Sequence, residues 1–560
     1  MDVTPRLLAV ALAALAVCAP PAAAAPGDLD TSFSGDGRVS TLTSPDTFVA
    51  RAVAMQPDGR IVVAGYSCNT GTCGPTGDSS VRLLRYTSDG GLDTDFGQGG
   101  MVTTTVGVGR SQAFDVIVRA DGSIVAGGVA SADGSDPGSF ALVGYKANGA
   151  LDPSFGTGGR VITRVGTGFD AISDLVPGFG DHFTAVGQAN DGTSDRFALA
   201  RYDRRGKPDP SFGNKGSVLV PTSAPYAYGA AGAQLSDGRV VAVGASGSNA
   251  ATESLRFSGT VVGLSGSATA PWIRPVGASY SYANAVVALA DGRVLSAGVA
   301  TERLGNPAMA LMRTSPSGVL DRTWDGDGLA TARAGDGTVA SDVVLDAEGR
   351  AVAAGDATLG ATHEFAIARF DGAGALDRSF GGGVVLTDFP GTARARATAI
   401  ARQADGKLVV AGIACSSGSG AQCTGGTARL ALARYLVAPA PASPPGGGTL
   451  PPNTTKAKFV TLPSRLTVHR GVIRVKVRCV QAKRCKGKLS LRRLRKGHTA
   501  LLLGSKTATV KARRTRTIVV KVRRKRLDRH RRSRVRMEFA GRDASGARRK
   551  IIKTVTLKRR

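Results

Sequence analysis

Few of the side chains that carry out chemistry are present in this chain. Among its 560 residues are five histidines, two tryptophans and seven cysteines, and aromatic residues amount to 5%. The histidines, at positions 182, 363, 469, 498 and 530, do not cluster beside the cysteines, and no two cysteines form a C-x-x-C pair. That spacing offers no zinc site, and no metal is expected. A G-x-S-x-G elbow, a Walker phosphate loop and an H-E-x-x-H helix are all missing, so no catalytic residue is assigned and no cofactor is expected. The stretches at 325–328 and 34–37, Asp-Gly-Asp-Gly and Ser-Gly-Asp-Gly, resemble fragments of calcium loops. Neither has the later Glu of a full loop, and turn chemistry accounts for both.

Long apolar runs are missing too. The apolar stretch at 7–17 is too short to span a bilayer. With Arg6 before it and four alanines at 22–25 after it, residues 1–25 read as a secretory signal. Cys18 faintly resembles a lipoprotein signal, but Val17 stands where such signals need a small residue. Export leaves six cysteines in three local pairs, Cys68 with Cys73, Cys415 with Cys423 and Cys479 with Cys485, and these are expected as disulfides.

What the sequence does hold is 75 glycines and a repeat. Gln56-Pro57-Asp58-Gly59-Arg60-Ile61-Val62-Val63-Ala64-Gly65 reads as a β-hairpin, in which the Asp-Gly pair turns and the β-branched run departs as a buried strand. Copies start at Asp121, Asp237, Asp291, Glu348 and Asp405, with a worn copy at Gly180-Asp181, so successive turns stand 54 to 63 residues apart. Such a period marks a structural array. In the first period strands are expected near 48–55, 61–65, 81–86 and 92–102. The third recurs as Phe-Ala-Leu-Ala-Arg-Tyr at 197–202 and in variants at 140–142, 365–370 and 430–435. The fourth carries Leu-Asp-x-x-Phe-Gly at 151–156 and 376–381, weaker at 208–213 and 320–324, and decayed at 263–272. Four short antiparallel strands per period make a propeller blade.

The ends of the array decide closure. The chain enters with a fourth strand at 29–39 that has no blade before it, and leaves at Tyr435, a third strand with no fourth after it. The N-terminal strand is expected to zip onto the last three and close a ring of seven blades without an open edge. The composite of Phe-Ala-Leu-Ala-Arg-Tyr, Gly-x-Leu-Asp-x-x-Phe-Gly-x-x-Gly and Gln-Pro-Asp-Gly-Arg-Ile-Val-Val-Ala-Gly resembles the delta-60 repeat family of exported bacterial proteins over residues 27–437. The resemblance implies a β-propeller and assigns it no biochemical role.

Parity then sorts the loops. Asp-Gly turns and third-to-fourth connections share one face and are tight. Second-to-third loops and blade-to-blade crossings share the other and are long and varied, as at 67–80, 131–139, 189–196 and 414–429. The long-loop face is the candidate binding face, and it carries Cys68, Cys73, Cys415 and Cys423. Arg85, Arg201, Arg313, Arg369 and Arg434, with Asp93, Asp209, Asp321 and Asp377, recur too regularly for a unique site and are expected as ion pairs within blades or as turn caps. Blade two has Gly144 in place of the Arg.

Charge divides the chain. From Pro452 onward 38 Lys and Arg face three acids, while the rest is slightly acidic. A Pro/Gly-rich linker at 438–455 leads into residues 456–560, where six partly alternating apolar and basic runs suggest a small β-sandwich, pinned by Cys479 and Cys485. It resembles Ig-like C-terminal modules of exported bacterial proteins. Arg513, Arg514, Arg523, Arg524, Lys525, Arg526, Arg531 and Arg532 are the candidate polyanion-binding residues. Export and the scarcity of aromatics for base stacking favour an anionic cell-envelope polymer or membrane surface over nucleic acid. The expectation is an all-β, secreted or cell-surface binding protein. The alternative is an extracellular enzyme, for example a carbohydrate-active one, on the loop face or in the central funnel. Converging carboxylates there would favour the enzyme, and a lining of Ala, Gly and Ser the scaffold.

Overall fold

The computed structural model describes residues 24–43, 46–68, 78–250, 254–301, 305–417 and 427–437, together with eight strands beyond residue 459. Two compact units divide the chain, residues 1–443 and 444–560. In the first, Thr47–Met55, Ile61–Cys68, Ser79–Tyr86 and Met101–Thr104 pair antiparallel in chain order. The same meander recurs over 111–163, 170–219, 226–274, 281–332 and 337–387. Arg394–Arg402, Leu408–Cys415 and Ala428–Tyr435 complete the array, and their fourth partner is Arg38–Leu42 from the start of the chain, antiparallel with Arg38 opposite Ala433. The first strands of successive sheets stand side by side, and Arg394–Arg402 lies against Thr47–Met55, so the cycle closes. This is β-propeller architecture.

Apolar faces hold neighbouring sheets together. At the closure Phe48, Val63 and Tyr66 pack with Val409, Ile413, Leu430 and Leu432, all buried. The hairpin turns are uniform, five residues each at 56–60, 119–123, 178–182, 235–239, 289–293, 346–350 and 403–407. In the worn copy the turn contains a short 3-10 segment, Phe179–Asp181.

The structure corrects the fourth strand. Sequence reading starts it at Leu92, but the strand begins at Met101, and residues 92–100 form successive turns. The amide N–H of Phe96 donates to the Asp93 carbonyl at 3.1 Å and that of Gly100 to the Phe96 carbonyl at 3.0 Å. Gly97, Gly99 and Gly100 have φ of +57°, +60° and +93°, the left-handed region that no strand uses. The N-terminal copy behaves alike: only Leu29, bridged to Tyr435, pairs before Arg38. The fragments resembling calcium loops lie in these turns, with Ser34 and Asp325 left-handed.

The recurrent Arg and Asp form the expected pairs within blades. Guanidinium to carboxylate distances are 2.9 Å for Arg85–Asp93 and Arg201–Asp209, and 2.8 Å for Arg313–Asp321, Arg369–Asp377 and Arg434–Asp30. The motif's aromatic residue lies against each Arg: Phe96, Phe212, Trp324, Phe380 and Phe33 stand 4.5 to 5.3 Å from the guanidinium carbon. Arg60 and Arg350 from the hairpin turns reach the same Asp at 2.7 and 3.5 Å, as does Lys407 with Asp30. Where Gly144 replaces the Arg, a β-carbon would lie 2.4 Å from the Phe155 ring, so Phe155 fills the volume.

In the second unit Val460–Thr461, Arg465–His469, Val472–Cys479, Cys485–Arg495, His498–Val510, Thr515–Lys521, Arg532–Arg542 and Arg548–Arg559 join in one hydrogen-bonded sheet. All six runs noted in the sequence fall on these strands. Ile473, Val475 and Val477, then Leu489 and Leu491, then Ile518 and Val520 are buried at alternate positions.

Closing the ring puts Asp30 opposite the buried Arg434, across the two ends of the array. Asp30→Ala is expected to cost about 3–5 kcal/mol, because it strands a buried guanidinium. Chemical denaturation of the full chain checks this; a change below about 1 kcal/mol would show that the closing pair is idle.

Candidate functional site: the central channel

Each innermost strand carries a β-bulge at the same level. The register skips one residue between Ala50 and Ala52, Ala113 and Asp115, Ile172 and Asp174, Gly229 and Ala231, Ala283 and Ala285, Ala340 and Asp342, and Ala397 and Ala399. Opposite every bulge stands a glycine of the second strand: Gly65, Gly128, Gly187, Gly244, Gly298, Gly355 or Gly412. A β-carbon at any of them would lie 1.9 to 2.0 Å from a main-chain carbonyl oxygen of the inner strand. Only glycine admits that approach, and the bulge turns its extra residue toward the axis.

Those extra residues are Arg51, Phe114, Ser173, Ala230, Asn284, Ser341 and Thr398, and all of them line the channel. They form a waist between two cavities. One, of about 420 Å³, opens toward the long-loop face past Val49, Tyr228 and Arg396. The other, of about 930 Å³, opens toward the turn face past Val53, Pro177, Phe179 and Arg402. Unlike the ion pairs, the waist does not repeat: it holds a cation, an aromatic ring, an amide, three hydroxyls and a methyl.

Three carboxyl groups stand just past the waist, at the residue after the bulge. Asp115 and Asp174 both accept from the Leu175 amide, at 2.8 and 2.9 Å, and Asp174 accepts from Gly232 at 2.7 Å. Asp342 accepts from Ile400 at 2.9 Å and Val343 at 2.7 Å. The three acids thus tie neighbouring inner strands together. Burial holds Asp115 well above the usual carboxylate range, and the adjoining Asp174 carboxyl adds to it. Asp174 is raised by burial, and Asp342 is pushed up to about 6, chiefly by burial. Sequence reading missed all three acids and the waist. The signal was there in second-strand glycines such as Gly65, Gly187, Gly244 and Gly412, which were read as the end of a hairpin though the strands run past them.

The sequence-derived site residues are placed unevenly. Cys68 and Cys415 end equivalent strands and lie in one apolar cluster at the closure. Cys73 and Cys423 lie outside the described residues, as do Arg513, Arg514, Arg523, Arg524, Lys525, Arg526 and Arg531, while Arg532 opens the strand Arg532–Arg542. Cys479 closes one strand of the second unit and Cys485 opens the next. His182 stands 3.8 Å from Asp209, and His363 stands 3.5 Å from Asp356. Among the described residues no group of three or more metal-ligating side chains converges, and no helix is long and apolar enough to cross a membrane.

With this geometry in hand, a family model matches residues 56–96, 119–155 and 184–212: DUF5122, a β-propeller domain of unknown function. The match supports a β-propeller family. No curated protein matches significantly. Among solved structures the chain is similar to the polysaccharide lyase Uly1, at 11% identity and a TM-score of 0.40, covering 70% of this chain and 90% of that one. It is also similar to a xylan β-1,4-xylosidase from Bacillus halodurans, at 10% identity and a TM-score of 0.27, covering 68% and 89%. A third is the extracellular domain of a protein assigned to a two component system of B. thetaiotaomicron, at 9% identity and a TM-score of 0.27, covering 91% and 69%. At these scores the likenesses carry no argument about activity.

The carboxyl at position 342 sets a pH dependence. Its folded pKa of about 6 lies above the ordinary carboxylate value of 3.8, so the fold favours the neutral acid. Stability from this group is present below about pH 4 and is lost as pH rises to about 6. Asp342→Asn is therefore expected to melt about 2–4 °C above the parent at pH 7–8, the gap closing toward pH 4. A pH-independent gap in thermal melts would contradict the assignment.

Proposed function

We propose that this chain is an exported binding protein: a seven-bladed propeller of delta-60-type repeats that holds a ligand in its channel, carried by an Ig-like module whose basic runs attach it to an anionic cell-envelope polymer or membrane surface. The observation that carries the reading is the contrast between repeated and unrepeated groups. Where every blade does the same structural work, the same residues recur. Where all blades converge, at the waist, the side chains vary from blade to blade and only serine appears twice, which is what selection for one ligand produces.

Export rests on the leader-like segment at 1–25 and on the cysteines. Cys68 and Cys415 are held in disulfides, and we assign their partners as Cys73 and Cys423, bracing two adjacent loops of the long-loop face. A second reading, an enzyme acting in the channel, is favoured by the Asp115–Asp174 carboxyl pair. Against it, both acids accept main-chain N–H groups from the next blade and serve as ties.

Attachment is tested by retention of the full chain on purified cell envelope across a salt series. Retention is expected to fall steeply between ~50 and ~200 mM salt, and to be lost at low salt when residues 523–526 and 531–532 are all changed to Gln. Absence of retention at every salt concentration would end the anchoring reading.

A further inference from the structure

Nine tyrosines are present in the sequence, and five have a repeated or covered place. Tyr86, Tyr145, Tyr202 and Tyr435 end the third strands of their sheets and are buried, and Tyr66 is buried near Arg51. The other four take alternate positions at the start of two adjacent inner strands: Tyr226 and Tyr228 on Tyr226–Gln234, Tyr282 on Ser281–Ala288, and Tyr280 just before that strand. They lie between the crossing into each sheet and its bulge, at the long-loop mouth of the channel. The rings pair along each strand, with centroids 6.0 Å apart for Tyr226 and Tyr228 and 6.3 Å apart, stacked, for Tyr280 and Tyr282. All four are half-buried. Burial, then the neighbouring Tyr282 and Tyr226, raises the Tyr228 hydroxyl, so it stays a protonated donor at every physiological pH. None of the four hydroxyls has a hydrogen-bond partner among the described residues.

The equivalent positions in the other sheets are Thr47 and Val49, Arg110 and Gln112, Phe169 and Ala171, Gly337 and Val339, and Arg394 and Arg396. The tyrosines are therefore no requirement of the fold. Beyond the sheet of Gly337 and Val339 come the cations. Arg396 is about one-third exposed and stands 3.2 Å from Asp356, Arg394 stands 2.5 Å from His363, and Arg51 lies over Phe114 at 5.3 Å. Tyr228, Arg396, Arg51, Gln188 and Asn284 line one cavity of about 420 Å³, within the range of small-ligand sites.

Resting on the reading of the channel as a binding site, we infer that this mouth takes an acidic glycan, a chain of pyranose units bearing uronate carboxylates. Flat half-buried rings with unengaged hydroxyls suit a sugar, whose C–H face stacks on an aromatic ring while its hydroxyls meet polar edges. Arg396 and Arg51 supply guanidinium donors for a carboxylate from the same cavity.

Calorimetric titration of the full chain with an oligogalacturonate, and with the same oligomer after reduction of its carboxyls, tests this. At ~300 mM salt, where the basic C-terminal runs are screened, the oligogalacturonate is expected to bind. Tyr228→Ala and Tyr282→Ala should each weaken it about tenfold, and Arg396→Gln should bring its affinity down to that of the reduced oligomer. Circular dichroism melts of each variant confirm that the ring is intact. Absence of binding, or binding unchanged in both tyrosine variants, overturns the inference. The wider reading fails on different evidence, since envelope retention through the basic runs is measured separately and does not involve these tyrosines.

Discussion

At one level of the ring, each main-chain carbonyl of the inner strand comes so close to the second strand that no β-carbon fits between them. Glycine at 65, 128, 187, 244, 298, 355 and 412 meets that constraint, and a β-carbon at any of them would stand within 2.0 Å of a carbonyl oxygen. The rest follows from it. The close approach allows the bulge, the bulge turns one side chain per sheet toward the axis, and the residue after it is placed to reach the next inner strand. Asp115, Asp174 and Asp342 use that reach to accept amide N–H groups from neighbouring sheets. A channel with a defined waist is thus a property of backbone geometry, and its chemistry is left to seven independently variable positions.

The outer parts of the sheets show the opposite economy. The Asp of Leu-Asp-x-x-Phe-Gly pairs with the third-strand Arg, the aromatic ring covers that Arg, and a basic residue of the hairpin turn reaches the same Asp. Three short motifs that look separate in the sequence are one contact in space. Repetition of this contact fixes the sheet's outer edge in nearly every period, and Arg434 with Asp30 makes it across the chain ends. Where the Arg is lost, at Gly144, an aromatic ring fills the volume and the sheet persists.

Much of this architecture was legible in the sequence because it repeats. Asp-Gly turns at a near-constant spacing announced the hairpins, and the unmatched strands at the two ends announced closure, which the pairing of Arg38–Leu42 with Ala428–Tyr435 bears out. The fourth strand was misjudged because Leu-Asp-x-x-Phe-Gly was taken as an extended segment, while its glycines demand left-handed φ. The channel was not legible, for a physical reason. A bulge is set by two strands at once, and an inner-strand residue such as Ser173 or Asn284 has nothing local to mark it as axial. Tyr226 to Tyr282 were overlooked on the same ground, since two Tyr-x-Tyr pairs read along the chain are ordinary strand residues.

The central claim is the division of labour: repeated contacts hold the ring, and unrepeated residues at the waist are free for a ligand. It is tested most directly by comparing thermal unfolding of the quadruple variant Arg51→Ala, Phe114→Ala, Ser173→Ala, Ser341→Ala with that of the single variant Asp93→Ala. The account predicts that the quadruple variant melts closer to the parent than the single one, because Asp93→Ala takes the carboxylate from buried Arg85 and leaves it only the neutral acceptors of Gln56 and Ala147. A quadruple variant that melts below Asp93→Ala would show that the waist residues hold the ring together, and would contradict it.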